Sequence, residues 1–335
     1  MNHILRIAGI LLAFSGMLFS AHAMGASPAW VTGETAEYPP NQYLLGRGIG
    51  ATEEEAKNRA RGELAANFEV RIEVLSENST QLEQSGKHER VSRSASQKVS
   101  AKTDKVINGI SLPEIWRNPV TLDYHALAVL PRAQASASMR EELDKLDTAL
   151  QQYLQAANSQ QDPLLKIGLL SQALQSSIQR EGFQSLLKVL DPSGQGVPAP
   201  LTQAEVRMQV DENIKKIRIA PEVSGEANAH EFFNALKGGL AAAGFLATNT
   251  DTADLLLKGN FVVHDLRLQG NWNWLRVTLE VSLLERATGR VRGSKTWSVK
   301  ASAQDANTAH SRAIMEVEKL LKQELRTTII GFAAN

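Results

Sequence analysis

The sequence predicts an α+β fold: two small α+β domains, antiparallel sheets packed with helices, joined by a helical hairpin. Three observations carry this. A glycine-bearing apolar run, Tyr43 to Gly50, leads straight into a helical pattern with a capping signal. Leucine stripes at helical spacing fill residues 136–190. Beyond a break rich in proline and glycine, alternating runs such as Val277, Leu279, Val281 and Leu283 return.

The chain opens with a basic Arg6, an apolar run from Ile7 to Phe19, and small residues at Ala21 and Ala23. That is the layout of a secretory signal peptide over residues 1–23, too short for a comfortable membrane span. The sequence has no cysteine, so neither disulfide staples nor an acylated N-terminal cysteine is expected. In a Gram-negative bacterium, an export signal with no later spanning run points to the periplasm. The 36 basic and 36 acidic side chains balance, so bulk charge implies no nucleic-acid or anionic-membrane partner.

Within 24–135, Ser27 to Pro40 reads as an extended lead-in carrying Trp30. Tyr43-Leu44-Leu45 begins a strand with Gly46, Gly48 and Gly50 at alternate positions. The spacing lacks G-x-G-x-x-G and Gly-Lys-Ser/Thr, and Glu53 would repel an anion at the helix start. The glycines are therefore read as room for a close helix approach rather than a phosphate loop. Thr52 three residues before Glu55 forms a capping box, and Ala56, Ala60 and Leu64 make a narrow apolar stripe. From Phe68, alternation with Val70, Ile72 and Val74 predicts a half-buried strand. Ser76 to Lys105 is polar, and its periodicity does not separate hairpin, helix and loop. Val106 to Trp116 and Thr121 to Leu130 read as two further strands.

Together, YLLGRGIGATEEEAKNRARGELAANFEVRIEV, ISLPEIW and DYHALAVLPRAQA resemble the Lpp-twenty lipoprotein family over roughly Ala29 to Ala135. The resemblance implies a membrane-associated envelope setting, with related modules in flagellum-associated envelope proteins. It implies no catalytic residue, and the missing cysteine departs from its lipid-anchored members.

Residues 136–190 form a helical connector, with Met139, Leu143, Leu146 and Leu150 on one stripe, Leu165, Leu169 and Leu174 on another, and a turn at Asp162-Pro163. The linker at 191–204 contains DPSGQGVPAP and offers little to bury. In 205–335, Val206, Met208 and Val210 alternate as a strand, followed by Ile217 to Ile219 as another. Ala227 to Gly244 is a helix. Strands then follow at Leu255 to Leu268, Trp272 to Leu284 and, past a Thr288-Gly289 turn, Val291 to Val299. Asp305 to Ile330 closes as a helix. The stretches FFNALKGGLAAAGF, ADLLLKGNF and LRVTLEVSLLERATGRV make Ala204 to Ile330 similar to penicillin-binding-protein activators and the curli-secretion lipoprotein group.

No H-E-x-x-H, no G-x-S-x-G and no thiol nucleophile occurs, so no cofactor, metal or catalytic residue is expected. The candidate partner-binding residues are Trp272, Trp274 and Arg276. The two indoles share a strand face; exposed, they suit a sugar or a protein, and buried they are core. Period-two aromatics in a meander favour core. Arg267, Arg290 and Arg292 lie near in sequence and would extend Arg276 into a basic patch. The expected function is non-enzymatic binding to envelope or outer-membrane proteins or to peptidoglycan, in an assembly that is flagellar or secretory in kind. Oligomerisation is left open, and an envelope enzyme with a dispersed active site is the alternative.

Overall fold

The computed structural model describes residues 27–33, 36–83, 97, 99–101, 109–224, 229–269 and 272–334. The signal-peptide expectation at 1–23 and most of the polar stretch from Ser76 to Lys105 lie outside these residues; its first part, 76–83, is helical.

A short helix α1 (Ala29–Thr32) precedes β1 (Tyr43–Gly50), α2 (Glu53–Glu83), β2 (Ser111–Arg117) and β3 (Tyr124–Pro131). The strands form an antiparallel sheet ordered β1-β3-β2. Thr52 Oγ1 accepts the Glu55 N–H at 3.2 Å, and the Glu55 carboxylate accepts the Ala51 N–H at 3.0 Å, so α2 starts at the capping signal. Its buried stripe runs Ala56, Ala60, Leu64 and Phe68. The strand expected from Phe68 to Val74 is instead the middle of α2. Phe68 continues the four-residue spacing, and no Gly or Pro between Glu63 and Glu83 breaks the helix. The alternation was real but short, and the uninterrupted helix overrides it.

The glycines of β1 bring this helix against the sheet. A Cβ on Gly48 would sit 2.0 Å from the Ala56 carbonyl oxygen, and one on Gly46 2.3 Å from that of Ala60. Backbone meets backbone there, and any side chain would separate the layers. Alternate residues of β3 serve two faces. Ala126, Ala128 and Leu130 meet α2, while Leu127 and Val129 lie under Trp30, Tyr38 and Trp116.

Two long helices follow, α3 (Arg132–Ser159) and α4 (Pro163–Leu190). Asp162 caps α4, its Oδ1 accepting the N–H groups of Leu164 and Leu165 at 2.8 and 3.0 Å. Each helix serves two cores. Met139, Leu143, Phe183, Leu186 and Leu190 pack with α2 and β3. Leu150, Ala157, Leu164, Ile167 and Leu170 pack with the C-terminal elements. The stretch after α4, expected to bury little, is tied down. Buried Arg180 donates from Nη2 to the Pro198 carbonyl (2.8 Å) and from Nε to Asp147 (2.5 Å), while the Val197 N–H donates to Gln184 (3.1 Å).

The strand expected at Val206 to Val210 is also a helix, α5 (Gln203–Ile214). Thr202 and Glu205 form a reciprocal capping box, and buried Val206, Val210 and Ile214 recur every four residues while Met208 is 55% exposed. Then come β4 (Arg218–Ser224), α6 (Ala229–Ala243), β5 (Leu246–Ala247), β6 (Leu255–Gln269), β7 (Trp272–Glu285), β8 (Val291–Ala303) and α7 (Ala306–Gly331). Gly244 ends α6 with a φ of 88°, and Asp305 caps α7. The sheet runs β5-β4-β6-β7-β8, with β4 parallel to β5 and β6 and the β6-β7-β8 meander antiparallel. Helices α6 and α7 cover one face. Phe232 of α6 stacks on Phe261 at 4.2 Å, and Leu257, Val277, Leu279, Val281 and Leu283 fill the layer beneath.

Candidate functional site: the open face of the five-stranded sheet

Strand alternation fixes what the second sheet face carries. Residues 277, 279, 281 and 283 of β7 point into the helical layer, so Trp272, Trp274, Arg276, Thr278, Glu280 and Ser282 point the other way. Trp272 is 43% exposed, and Trp274 and Arg276 are half-buried. No residue of this face belongs to the core formed with α6 and α7.

Register builds the rest of the surface. Arg276 lies directly between His264 on β6 and Lys300 on β8. The next row away from the indoles is Val262, Thr278 and Ser298, and the one after it Asn260, Glu280 and Thr296. Trp274 stands beside Ser302 on the opposite side of the basic row. Among the described residues, the side chains of His264, Arg276 and Lys300 have no hydrogen-bond or ion-pair partner. Farther along the sheet, Lys258 pairs with Glu222 at 3.6 Å, so the charges there are matched.

The arginines expected to extend the patch do not all reach it. The β7-β8 turn puts Arg290 and Arg292 at the far end of the meander, because Leu283 and Leu284 stand opposite Gly293 and Val291. Arg292 is only 8% exposed and bridges Asp162 (2.6 Å) and Glu285 (2.7 Å). Hydrogen bonds from Arg292 and Thr288 hold the Glu285 carboxyl below its ordinary value. Burial opposes ionisation of Asp162, but the Arg292 guanidinium and the N–H groups of Leu165 and Leu164 outweigh it and lower that carboxyl too. A cavity of about 240 Å³ lies among these groups, lined also by Leu164, Ile217 and Asp254. It is a joint between the helical hairpin and the sheet, with its charges already matched.

A second cleft, about 540 Å³, opens beside the start of α3, lined by Tyr43, Arg132, Arg140 and Asp191. The Arg132 guanidinium in it donates to the carbonyls of Pro40, Tyr43, Val189 and Leu190 at 2.8–3.3 Å. Burial lowers its pKa. Its donors hold the lead-in to the end of α4 and are largely spent.

His264 and Lys300 were not among the candidates read from sequence. Counting outward from the Thr288-Gly289 turn, with Leu284 opposite Val291, would place Val299 opposite Arg276; a bulge at Arg292 shifts the register by one residue and puts Lys300 there, a step the sequence does not show. Among the described residues, no group of three or more His, Asp or Glu side chains is placed to hold a metal, and no helix is long and apolar enough to cross a membrane.

Residues 28–131 match the family model described as LPP20 lipoprotein. No curated protein matches the sequence. Similar solved structures include the secreted protein HP1454 from Helicobacter pylori, 13% identical, covering 85% of this chain and 97% of that one with a TM-score of 0.37. They also include a minor lipoprotein from Acinetobacter baumannii, 20% identical, covering 36% of this chain and 92% of that one with a TM-score of 0.26. Lipoprotein GNA1162 from Neisseria meningitidis is 12% identical, covering 32% and 98%, with a TM-score of 0.25.

Proposed function

We propose that this is a periplasmic, non-enzymatic envelope protein that works by binding, and that it meets its partner through the open face of the five-stranded sheet. The match of residues 28–131 to a lipoprotein family supports the envelope setting. The observation that carries the binding reading is the surface itself. Trp272, Trp274 and the row of His264, Arg276 and Lys300, with which no described side chain pairs, stand on a sheet face that no described helix covers. Tryptophan and arginine are the residues most enriched where binding energy concentrates. Partners of this kind are envelope or outer-membrane proteins, or the cell wall, in an assembly that is flagellar or secretory in kind.

A photo-crosslinking residue placed at Trp272 in intact cells tests it, with the same residue at Met315 of α7, which is 58% exposed on the helical side, as the comparison. Discrete adducts from position 272 and none from 315 are the expected result. Equal labelling from the two positions, or a protein that fractionates with the cytoplasm, would overturn the proposal.

A further inference from the structure

We infer that the open sheet face binds an acidic glycan, a saccharide chain bearing carboxylates. Its ring faces lie against Trp272 and Trp274, and its acid groups meet His264, Arg276 and Lys300. The inference rests on the binding reading above and names the chemistry of the ligand.

Three features of the face converge. The first is the cationic row. Residues directly opposite on neighbouring strands have Cβ atoms roughly 5 Å apart, and like charges there are unfavourable. Arg276 and Lys300 occupy such a pair with the His264 imidazole completing the row, and no described side chain pairs with any of the three. A bound carboxylate removes that repulsion and matches the planar fork of Arg276. Charge complementarity therefore selects an anion.

The second is the indoles. Trp274 is two residues from Arg276 along β7, roughly 7 Å, and Trp272 is as far again. The row itself crosses three strands, a width of about 10 Å. A ligand that uses both features must be extended, ionic at one part and flat and weakly polar at another. Sugar rings linked in a chain present that alternation.

The third is the company these residues keep. Thr278, Ser298, Ser302, Thr296 and Asn260 supply hydroxyl and amide groups, suited to a ligand rich in hydroxyls. Of the exposed large apolar side chains on the face, Val262 and Trp272 stand near this row, whereas Val291 and Leu246 lie at distant edges of the sheet. A protein partner would be expected to meet a more continuous apolar centre.

The test is calorimetric titration of the full chain with three defined polymers: polygalacturonate, neutral dextran and polyglutamate. Saturable binding to polygalacturonate, absent with dextran and much weaker with polyglutamate, is expected. The double variant Arg276→Gln/Lys300→Gln should weaken polygalacturonate binding about tenfold or more, since two charge-assisted contacts are lost. Trp272→Ala, at an exposed position that folding does not need, should weaken it about fivefold. Wild-type thermal midpoints in both variants show that the losses are not misfolding. Polyglutamate bound as tightly as polygalacturonate and indifferent to Trp272→Ala would overturn the inference in favour of an acidic polypeptide. Unchanged affinity in the double variant would overturn it outright. If no polymer binds but position 272 still crosslinks in cells, the glycan inference fails while the binding proposal stands; loss of both results sinks both.

Discussion

At Gly48 the distance between strand and helix is set by a missing atom. A Cβ there would meet the Ala56 carbonyl oxygen and the Ala60 nitrogen, which are backbone and cannot rotate aside. Gly48→Ala should therefore destabilise by about 3 kcal/mol, the upper part of the usual range for overpacking. Gly62 is a control in the same helix: nothing lies within 4 Å of its added Cβ, so Gly62→Ala should stabilise by about 0.5–1 kcal/mol. Chemical denaturation of the two variants measures both. A second residue-scale expectation concerns Arg292. The folded carboxyls of Glu285 and Asp162 both lie below their ordinary values, so each favours folding above roughly pH 4, and that contribution fades as pH falls through the folded pKa. In Arg292→Met the thermal midpoint should fall less between about pH 6 and about pH 3 than in the parent. An identical fall would remove Arg292 as the cause.

At the scale of elements, most of the fold was legible in the sequence, and the two misread segments share a cause. Around Phe68 and again around Val206, apolar residues alternate with charged or polar ones over seven and five positions, a window in which period two and period 3.6 overlap. Continuity decided the first, since α2 meets no breaker; the capping box decided the second. Weighting Thr202 with Glu205 above the alternation would have given α5. The substitution series that separates strand from helix is short. Val206→Ala and Val210→Ala should each cost about 2 kcal/mol, whereas Met208→Lys should stay within about 0.5 kcal/mol of wild type. A strand would have made all three costly. The proposed binding surface was legible only in part. Trp272, Trp274 and Arg276 follow from alternation within one strand, but His264 and Lys300 join them through pairing with two others, which sequence proximity obscures. Nearness in sequence instead suggested Arg292, whose charge is spent at the far end of the sheet.

For the whole molecule, the helical hairpin matters most. Helices α3 and α4 give residues to both hydrophobic cores, and Arg180 fastens the following segment to them through Pro198. The cores should therefore melt as one cooperative transition. Circular dichroism and near-ultraviolet signals should give coincident midpoints; two well-separated midpoints would show the cores to be independent. The hairpin has a mechanical consequence as well. Each helix is 28 residues long, about 42 Å at the ordinary helical rise. With a core built onto each end, it acts as a ruler. The three-stranded sheet and the open face of the five-stranded sheet are thereby kept at a set standoff.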